Sequence, residues 1–308
     1  MNERISSLKN NIASKLVGKE EQILQLITAL LAGGHVLLED MPGVGKTLLA
    51  RTLSESAGCS VSRIQFTPDT LPSDVTGASV YDASQNTLRL VKGPVVNQIV
   101  IGDELNRTSP RTQAALLEAM EERQVTIDGT TIKIPEPFMV IGTQNPISYA
   151  GTYPLPEAQL DRFMMKISLG TLSEDETVRM QERMLEGRFL SPAEPVLSAE
   201  EIIEMKKEVR TVNVSKELLH YIAKLILKTG EEEEIRYACS PRASLSLLSA
   251  SQASAYIKGR DYVIPEDVMD MARLTLPHRM ELTAEARMNR AAAEKIAERI
   301  IRSVPVPK

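Results

Sequence analysis

The stretch Asp40-Met41-Pro42-Gly43-Val44-Gly45-Lys46-Thr47 constrains this chain more than any other, because it directly follows the apolar run Val36-Leu37-Leu38. A buried strand, a glycine-bearing loop and a helix opening on Gly-Lys-Thr have the layout of a phosphate cradle. Gly43 and Gly45 let the backbone curl so that successive N–H groups point at one anion. In that layout Lys46 reaches the β- and γ-phosphates and the Thr47 hydroxyl holds Mg²⁺. Pro42, Gly43, Val44, Gly45, Lys46, Thr47 and Leu48 then line the bound nucleotide. The usual pattern begins with Gly, and here that place is Asp40. Taken alone, the loop also fits an ordinary Gly/Pro turn between strand and helix.

Ile99-Val100-Ile101-Gly102-Asp103-Glu104 is the natural partner of such a loop: a buried strand delivers two carboxylates at its C-terminal edge, where open α/β sheets bind ligands. Asp103 is expected in the Mg²⁺ shell, and Glu104 is expected to polarise an attacking water. An acidic strand end capping the next helix is the plainer alternative. Asn145 follows the apolar run Phe138–Gly142 and is placed to hydrogen-bond both the γ-phosphate and the lytic water, although by itself it is a turn residue before Pro146.

Apolar runs at 36–38, 61–66, 97–101, 138–142 and 164–169 predict five buried strands. Helical patterns at 20–32, 47–57 and 110–123 lie among them, which implies a parallel sheet covered on both faces. Ser109 is the expected N-cap of the third helix, with Pro110 its first residue. Residues 67–92 read as polar and turn-rich, and Asp128-Gly129 marks a hairpin between 124–127 and 130–134. Beyond about residue 170 the strand pattern stops. A capping box at Ser198 and Glu201, helix starts at Ser215, Ser240-Pro241 and Pro265, and a last helix from about Ala284 predict a helical bundle. The expected division is 1–170 and 171–308.

Composition narrows the classes. A net charge of −5 and a pI near 5.5 argue against a nucleic-acid binder, without excluding a small basic pore. Cys59 and Cys239 are too sparse for a disulfide framework or a zinc site and are expected as buried apolar residues. His35, His220 and His278 show no ligand spacing. The methionines at 120, 164 and 165 are expected in the core, Arg107 and Arg111 as solvated helix-end charges with a subunit boundary as their alternative, and Glu231–Glu234 as a solvated loop. The polar N-terminus lacks a signal-peptide core, and the uncharged stretch from Gln22 to Leu38 is short of the ~20 apolar residues of a span, so a cytoplasmic protein is expected.

Four segments together resemble the MoxR family of AAA+ ATPases: Leu37–Thr47, Asp103-Glu104-Leu105-Asn106-Arg107, Gln113–Val125 and Pro156-Glu157-Ala158-Gln159-Leu160-Asp161-Arg162-Phe163. The resemblance covers nearly the whole chain and accounts for Asp40. It implies a P-loop AAA+ core, a parallel five-stranded sheet flanked by helices, followed by a C-terminal all-helical lid. It implies ATP and Mg²⁺ as cofactors and catalytic roles for Lys46, Glu104, Asn145 and Arg162, with Arg162 acting on the ATP of a neighbouring subunit. By the same resemblance Arg242 is a nucleotide-contacting second sensor in the first turn of a lid helix. Val17-Gly18-Lys19 would line the adenine pocket, although a helix start explains that tripeptide nearly as well. A family insert corresponds to about 78–94, and the Asp128-Gly129 hairpin, about 124–134, to the family's hairpin before the first sensor.

The assembly implied by the resemblance is a ring, a hexamer, that remodels or matures a client, often one carrying a von Willebrand factor A domain and often in cofactor insertion. Two other classes compete. A nucleic-acid motor would need basic clusters on the insert and hairpin, which carry only Arg89, Lys92 and Lys133. A nucleotide-gated binding module with negligible turnover has no need of Glu104, Asn145 and Arg162 together.

Overall fold

The computed structural model describes residues 2–145, 153–186, 192–289 and 292–307. Its strands are β1 (Val36–Glu39), β2 (Val61–Gln65), β3 (Gly77–Asp82), β4 (Thr87–Lys92), β5 (Ile99–Asp103), β6 (Gln124–Ile127), β7 (Thr130–Lys133), β8 (Met139–Gln144), β9 (Met165–Ile167), β10 (Ile235–Tyr237) and β11 (Glu281–Leu282). The helices of the first half are α1 (Glu3–Ala13), α2 (Glu20–Ala32), α3 (Lys46–Ser56), α4 (Pro72–Thr76), α5 (Pro110–Glu122) and α6 (Glu157–Leu160). Those of the second are α7 (Glu174–Leu185), α8 (Ala199–Arg210), α9 (Lys216–Lys228), α10 (Pro241–Ile257), α11 (Pro265–Thr275), α12 (Ala284–Met288) and α13 (Ala293–Ser303).

The five predicted strands form one parallel sheet in the order β2-β5-β8-β1-β9. The inner strands β5, β8 and β1 are buried on both faces, which explains why they are continuous apolar runs, whereas the edge strand β2 buries little beyond Ile64. Successive side chains alternate across a strand. Val36, Leu38, Ile99, Ile101, Met139 and Ile141 therefore join a core shared with α1, α2, α3 and the helical half. Leu37, Val100 and Val140 face the opposite way, into a core built with Phe66, Leu116 and Phe163. Met120, Met164 and Met165 are buried, as expected of core residues. His35 supports the sheet from its lower edge. Its Nδ1 accepts the Val140 N–H at 2.9 Å, burial depresses its pKa to about 4, and it stays neutral.

Three regions depart from the sequence reading. The polar N-terminus hides an amphipathic helix, α1, whose Ile5, Leu8 and Ile12 are buried. Residues 77–92, read as turns, form an antiparallel hairpin, because Gly77–Asp82 pairs in full register with Thr87–Lys92. The helical half carries a short antiparallel ribbon, β10–β11, where only helices were expected. The acidic run beside it is not simply solvated, since Glu232 and Glu234 both accept from Arg299. Helix starts follow their capping chemistry. Ser109 and Ser215 accept N–H bonds from Thr112 and Leu218, and Ser198 with Glu201 forms the expected box. Both cysteines are buried, and burial pushes each thiol up to about 11.

The helical half is pinned by one buried carboxylate. Asp267, fully enclosed, accepts from Arg260 twice at 2.7 Å, from Lys258 at 3.0 Å and from the Ile264 N–H at 3.1 Å. Burial would raise its pKa, but these donors outweigh burial and hold it below the ordinary 3.8. A depressed folded pKa stabilises above the unfolded value and is lost as the pH falls through the folded one. Asp267→Asn is therefore expected to cost about 2–3 kcal/mol at neutral pH, since it strands partly buried cations. The deficit should shrink as the pH falls below 3.8 toward the depressed folded pKa, through which the parent protonates as well. Denaturant unfolding at pH 7 and at pH 3.5 checks this, and equal stabilities at pH 7 would refute it.

Candidate active site

The C-terminal edge of the sheet gathers the predicted loop, acid pair and Asn145. The loop after β1 carries Gly43 at φ +86° and Gly45 at φ +98°, left-handed values that L side chains rarely adopt. Gly45 caps the start of α3, so the loop's amides run into a helix N-terminus suited to anions. Lys46 Nζ donates to the Asp40 and Gln144 carbonyls and, at 2.9 Å, to Asn145 Oδ1. It is thereby held between the loop and the end of β8. Burial lowers its pKa despite the acids nearby.

The Thr47 hydroxyl donates to Asp103 Oδ2 at 3.2 Å, and Thr143 Oγ1 donates to Asp103 Oδ1 at 2.6 Å. Arg63, on β2, ion-pairs with the same Oδ2 at 2.7 Å. Burial alone would raise the Asp103 pKa, but these three partners hold it below the usual carboxylate range. Among the described residues no group of three His, Cys, Asp or Glu could hold a metal. A hard divalent ion between Thr47 and Asp103 would take its remaining oxygens from phosphate and water, the coordination Mg²⁺ prefers. The donor set fits that ion.

Glu104 sits just past β5 in a left-handed conformation, φ 59° and ψ 49°, uncommon outside glycine and frequent at functional sites. Its N–H donates to Thr143 Oγ1 at 3.0 Å. Its carboxylate accepts from Gln65 Nε2 at 2.9 Å and from Arg107 Nη1 at 2.8 Å. Arg107 is thus not a merely solvated helix-end charge: it holds the carboxylate expected to polarise water. Arg63 and Gln65 were missed in the sequence. Both lie on the same face of β2, and the β2–β5 register sets Gln65 opposite Asp103. Only that pairing reveals them.

Beside the loop lies a cavity of about 440 Å³ lined by Val17, Pro42, Val44, Leu48, Leu172 and Met180, with Gly43 and Gly45 also on its wall. Gly18 does not line it. Gly18 has φ +68°, and a Cβ there would lie 2.2 Å from Glu176 Oε1, so both backbone conformation and close packing favour glycine at this position. The structure also explains Asp40. Its Oδ2 accepts from Ser168 Oγ at 2.9 Å, Leu169 N at 2.6 Å and Gly170 N at 2.8 Å, tying the loop to the end of β9. Lys19 Nζ holds the Leu169 carbonyl of the same segment at 2.6 Å.

Arg162 and Arg242 lie elsewhere. Arg162 precedes β9, whose first residue, Met165, pairs with Val36 at the start of β1, and Met164 N donates to the His35 carbonyl. Arg162 is therefore at the N-terminal edge of the sheet, whereas the phosphate loop begins at the other end of β1. Four strand residues, roughly 13 Å at about 3.3 Å each, separate the two edges. Arg162 Nε lies 3.5 Å from Glu121 Oε2, and Arg242 Nη2 donates to the other oxygen of the same carboxylate. Glu121 lies in the last turn of α5 next to Met120, whose carbonyl meets His35 Nε2, again at the N-terminal edge. Arg242 was expected on nucleotide; within its own chain it faces Glu121 and does not line the cavity. Asp161 pairs not with its neighbour Arg162 but with buried Arg279 at 2.8 Å, and it also accepts from Ser240 at 2.8 Å.

A parallel sheet in this order, a phosphate loop after its inner strand β1, an acid pair at the end of β5 and a helical lid define a P-loop ATPase of the AAA class. Residues 35–165 match the model of the ATPase family associated with various cellular activities (AAA), and residues 227–300 match the AAA lid domain. The chain belongs to the MoxR family of AAA+ ATPases. It is 37% identical to Chaperone MoxR1 of Mycobacterium tuberculosis over 95% of this chain and 80% of that protein. It is 47% identical to YeaC of Bacillus subtilis over 95% of this chain and 91% of YeaC. A crystal structure of a candidate ATPase from Cytophaga hutchinsonii superposes with a TM-score of 0.92 at 38% identity, covering 99% of this chain and 95% of that one.

Proposed function

We propose that this chain is an Mg²⁺-dependent ATPase that works as a homo-oligomeric ring, a hexamer by likeness to its family. Its turnover would remodel or mature a client protein, cofactor insertion included. Lys46 and the amides of 43–47 bind and orient the triphosphate, and Val17, Leu48 and Met180 enclose the base in the 440 Å³ cavity. Asp103 and Thr47 hold the cation, which when bound offsets the charge developing on the phosphoryl group. Glu104, released from Gln65 and Arg107, takes the proton of the attacking water, and Asn145 orients that water beside Lys46. Arg162, and with it Arg242, serves the nucleotide of the adjacent copy.

The observation that carries this reading is the placement of Arg162 at the edge of the sheet opposite its own phosphate loop. An arginine so placed has no nucleotide within its own chain to act on. The client we propose is a protein with a von Willebrand factor A domain, encountered in the cytoplasm; the relative named a chaperone supports a protein client. The sparse positive charge of the β3–β4 and β6–β7 hairpins argues against nucleic acid. Among the described residues no helix is long and apolar enough to cross a membrane.

Turnover per chain tests the central claim. It is expected to rise steeply with protein concentration and then plateau as copies assemble. Full turnover by a species that stays monomeric at every concentration would end the proposal.

A further inference from the structure

We propose that Glu121 is a positioning residue: its single carboxylate gathers Arg162 and Arg242 into one two-arginine element aimed at a neighbouring copy's phosphate. The inference rests on the trans role of Arg162 given above and adds to it the group that aligns the arginines. Arg162 approaches Glu121 Oε2 through Nε, at 3.5 Å, and Arg242 meets Oε1 through Nη2. Among the described residues no other partner engages the two terminal nitrogens of Arg162, or the Nε and Nη1 of Arg242. Arg242 is thus held by one hydrogen-bonding nitrogen and Arg162 by charge attraction alone, its buried Nε making no hydrogen bond, so both keep donors for an incoming anion.

The backbones carrying the two arginines are fastened to each other independently. Asp161, which precedes Arg162, accepts from Ser240, two residues before Arg242, at 2.8 Å, and from Arg279 Nε at 2.8 Å. Arg279 is buried and also donates to the Met164 carbonyl at 2.9 Å and to Ser246 Oγ at 3.1 Å. Asp161 sets where the two chain segments meet, and Glu121 sets where their side chains converge. Two guanidinium ions side by side repel one another, and without a shared carboxylate they would splay into solvent. Two cations and one anion still leave a net positive element for a triphosphate to meet. Each of these three side chains is between 30% and 42% exposed, so the element lies at the surface, where a second copy can reach it.

The test uses the full chain with Glu121→Gln, which keeps the shape and removes the charge. Nucleotide affinity, KM and the size of the assembled species are expected to stay at parent values. The kcat is expected to fall roughly 10–100-fold, the scale for a misplaced catalytic group rather than a deleted one. Mixed with a Lys46→Ala protein, Glu121→Gln should regain activity, because its own phosphate loop is intact and the Lys46→Ala chain donates intact arginines. A parent-level kcat would overturn the proposal, and so would an increased kcat, which would make Glu121 a brake. Loss of assembly or of thermal stability would overturn it too, by making Glu121 structural. If Arg162→Ala itself keeps full turnover, the trans-arginine reading fails; if Arg162→Ala loses turnover and Glu121→Gln does not, only the role of Glu121 fails.

Discussion

Arg162→Ala is expected to bind nucleotide as tightly as the parent and, once assembled, to turn it over about 10³–10⁵-fold more slowly, the span measured for arginines that act on a transferring phosphoryl group. Affinity should be spared because Arg162 lies at the opposite edge of the sheet from the loop that binds its own nucleotide. The loss is large because charge develops on the phosphoryl oxygens, and a guanidinium in a partly dry interface stabilises that charge strongly. Mixing supplies the decisive control. A chain with Lys46→Ala cannot cradle phosphate but still carries Arg162, and a chain with Arg162→Ala has the converse defect. Together they should recover a fraction of parent activity. Unimpaired turnover by the Arg162→Ala protein alone would refute the role.

Glu104→Gln is expected to keep nucleotide binding and to lose about 10²–10⁴-fold in kcat, the usual share of a general base. Glutamine preserves the volume and can still meet Arg107 or Gln65, but it cannot take a proton. The left-handed backbone at Glu104 argues that this geometry is maintained for chemistry, since a residue capping a helix would gain nothing from it. Single-turnover hydrolysis beside an equilibrium binding measurement separates the two effects. Unchanged hydrolysis would remove Glu104 from the mechanism, whereas loss of binding would make it structural. The same protein should accumulate in a nucleotide-bound state, which makes it the form to use for capturing a client.

The two halves of the site differ in how far the sequence exposes them. The cradle is local: loop, lysine and threonine are consecutive, so their spacing alone reports their chemistry. Asp103 and Glu104 were legible for a similar reason, because a buried strand ending in paired acids has few other uses. Asn145 was placed just past the apolar run 138–142, and it does follow the strand, which runs two residues further, to Gln144. Gln65, Arg63 and Glu121 could not be found in this way. Gln65 faces Glu104 only because β2 pairs with β5 in one register, and Glu121 meets Arg242 across 121 residues of chain. Arg107 was misjudged because a helix-end arginine is usually solvated, and the 3₁₀ turn at 105–107 brings it back onto Glu104 instead. The insert was misread as turns because its strands bury little, leaving Val80, Tyr81 and Leu88 exposed and no clean alternation to detect.

What the residues decided by themselves was the layered α/β core, its phosphate loop and its acid pair, because hydrophobic period, capping and loop chemistry act over a few neighbouring positions. The tertiary structure alone decided at which edge of the sheet each arginine lies. Parallel pairing of β9 with β1 sends Arg162 to one edge of the sheet while the cradle opens at the other, and Asp161 draws Arg242 to the same side. That separation comes from strand direction and register, which depend on contacts between distant segments, and it is the reason for expecting hydrolysis to require a second copy of the chain.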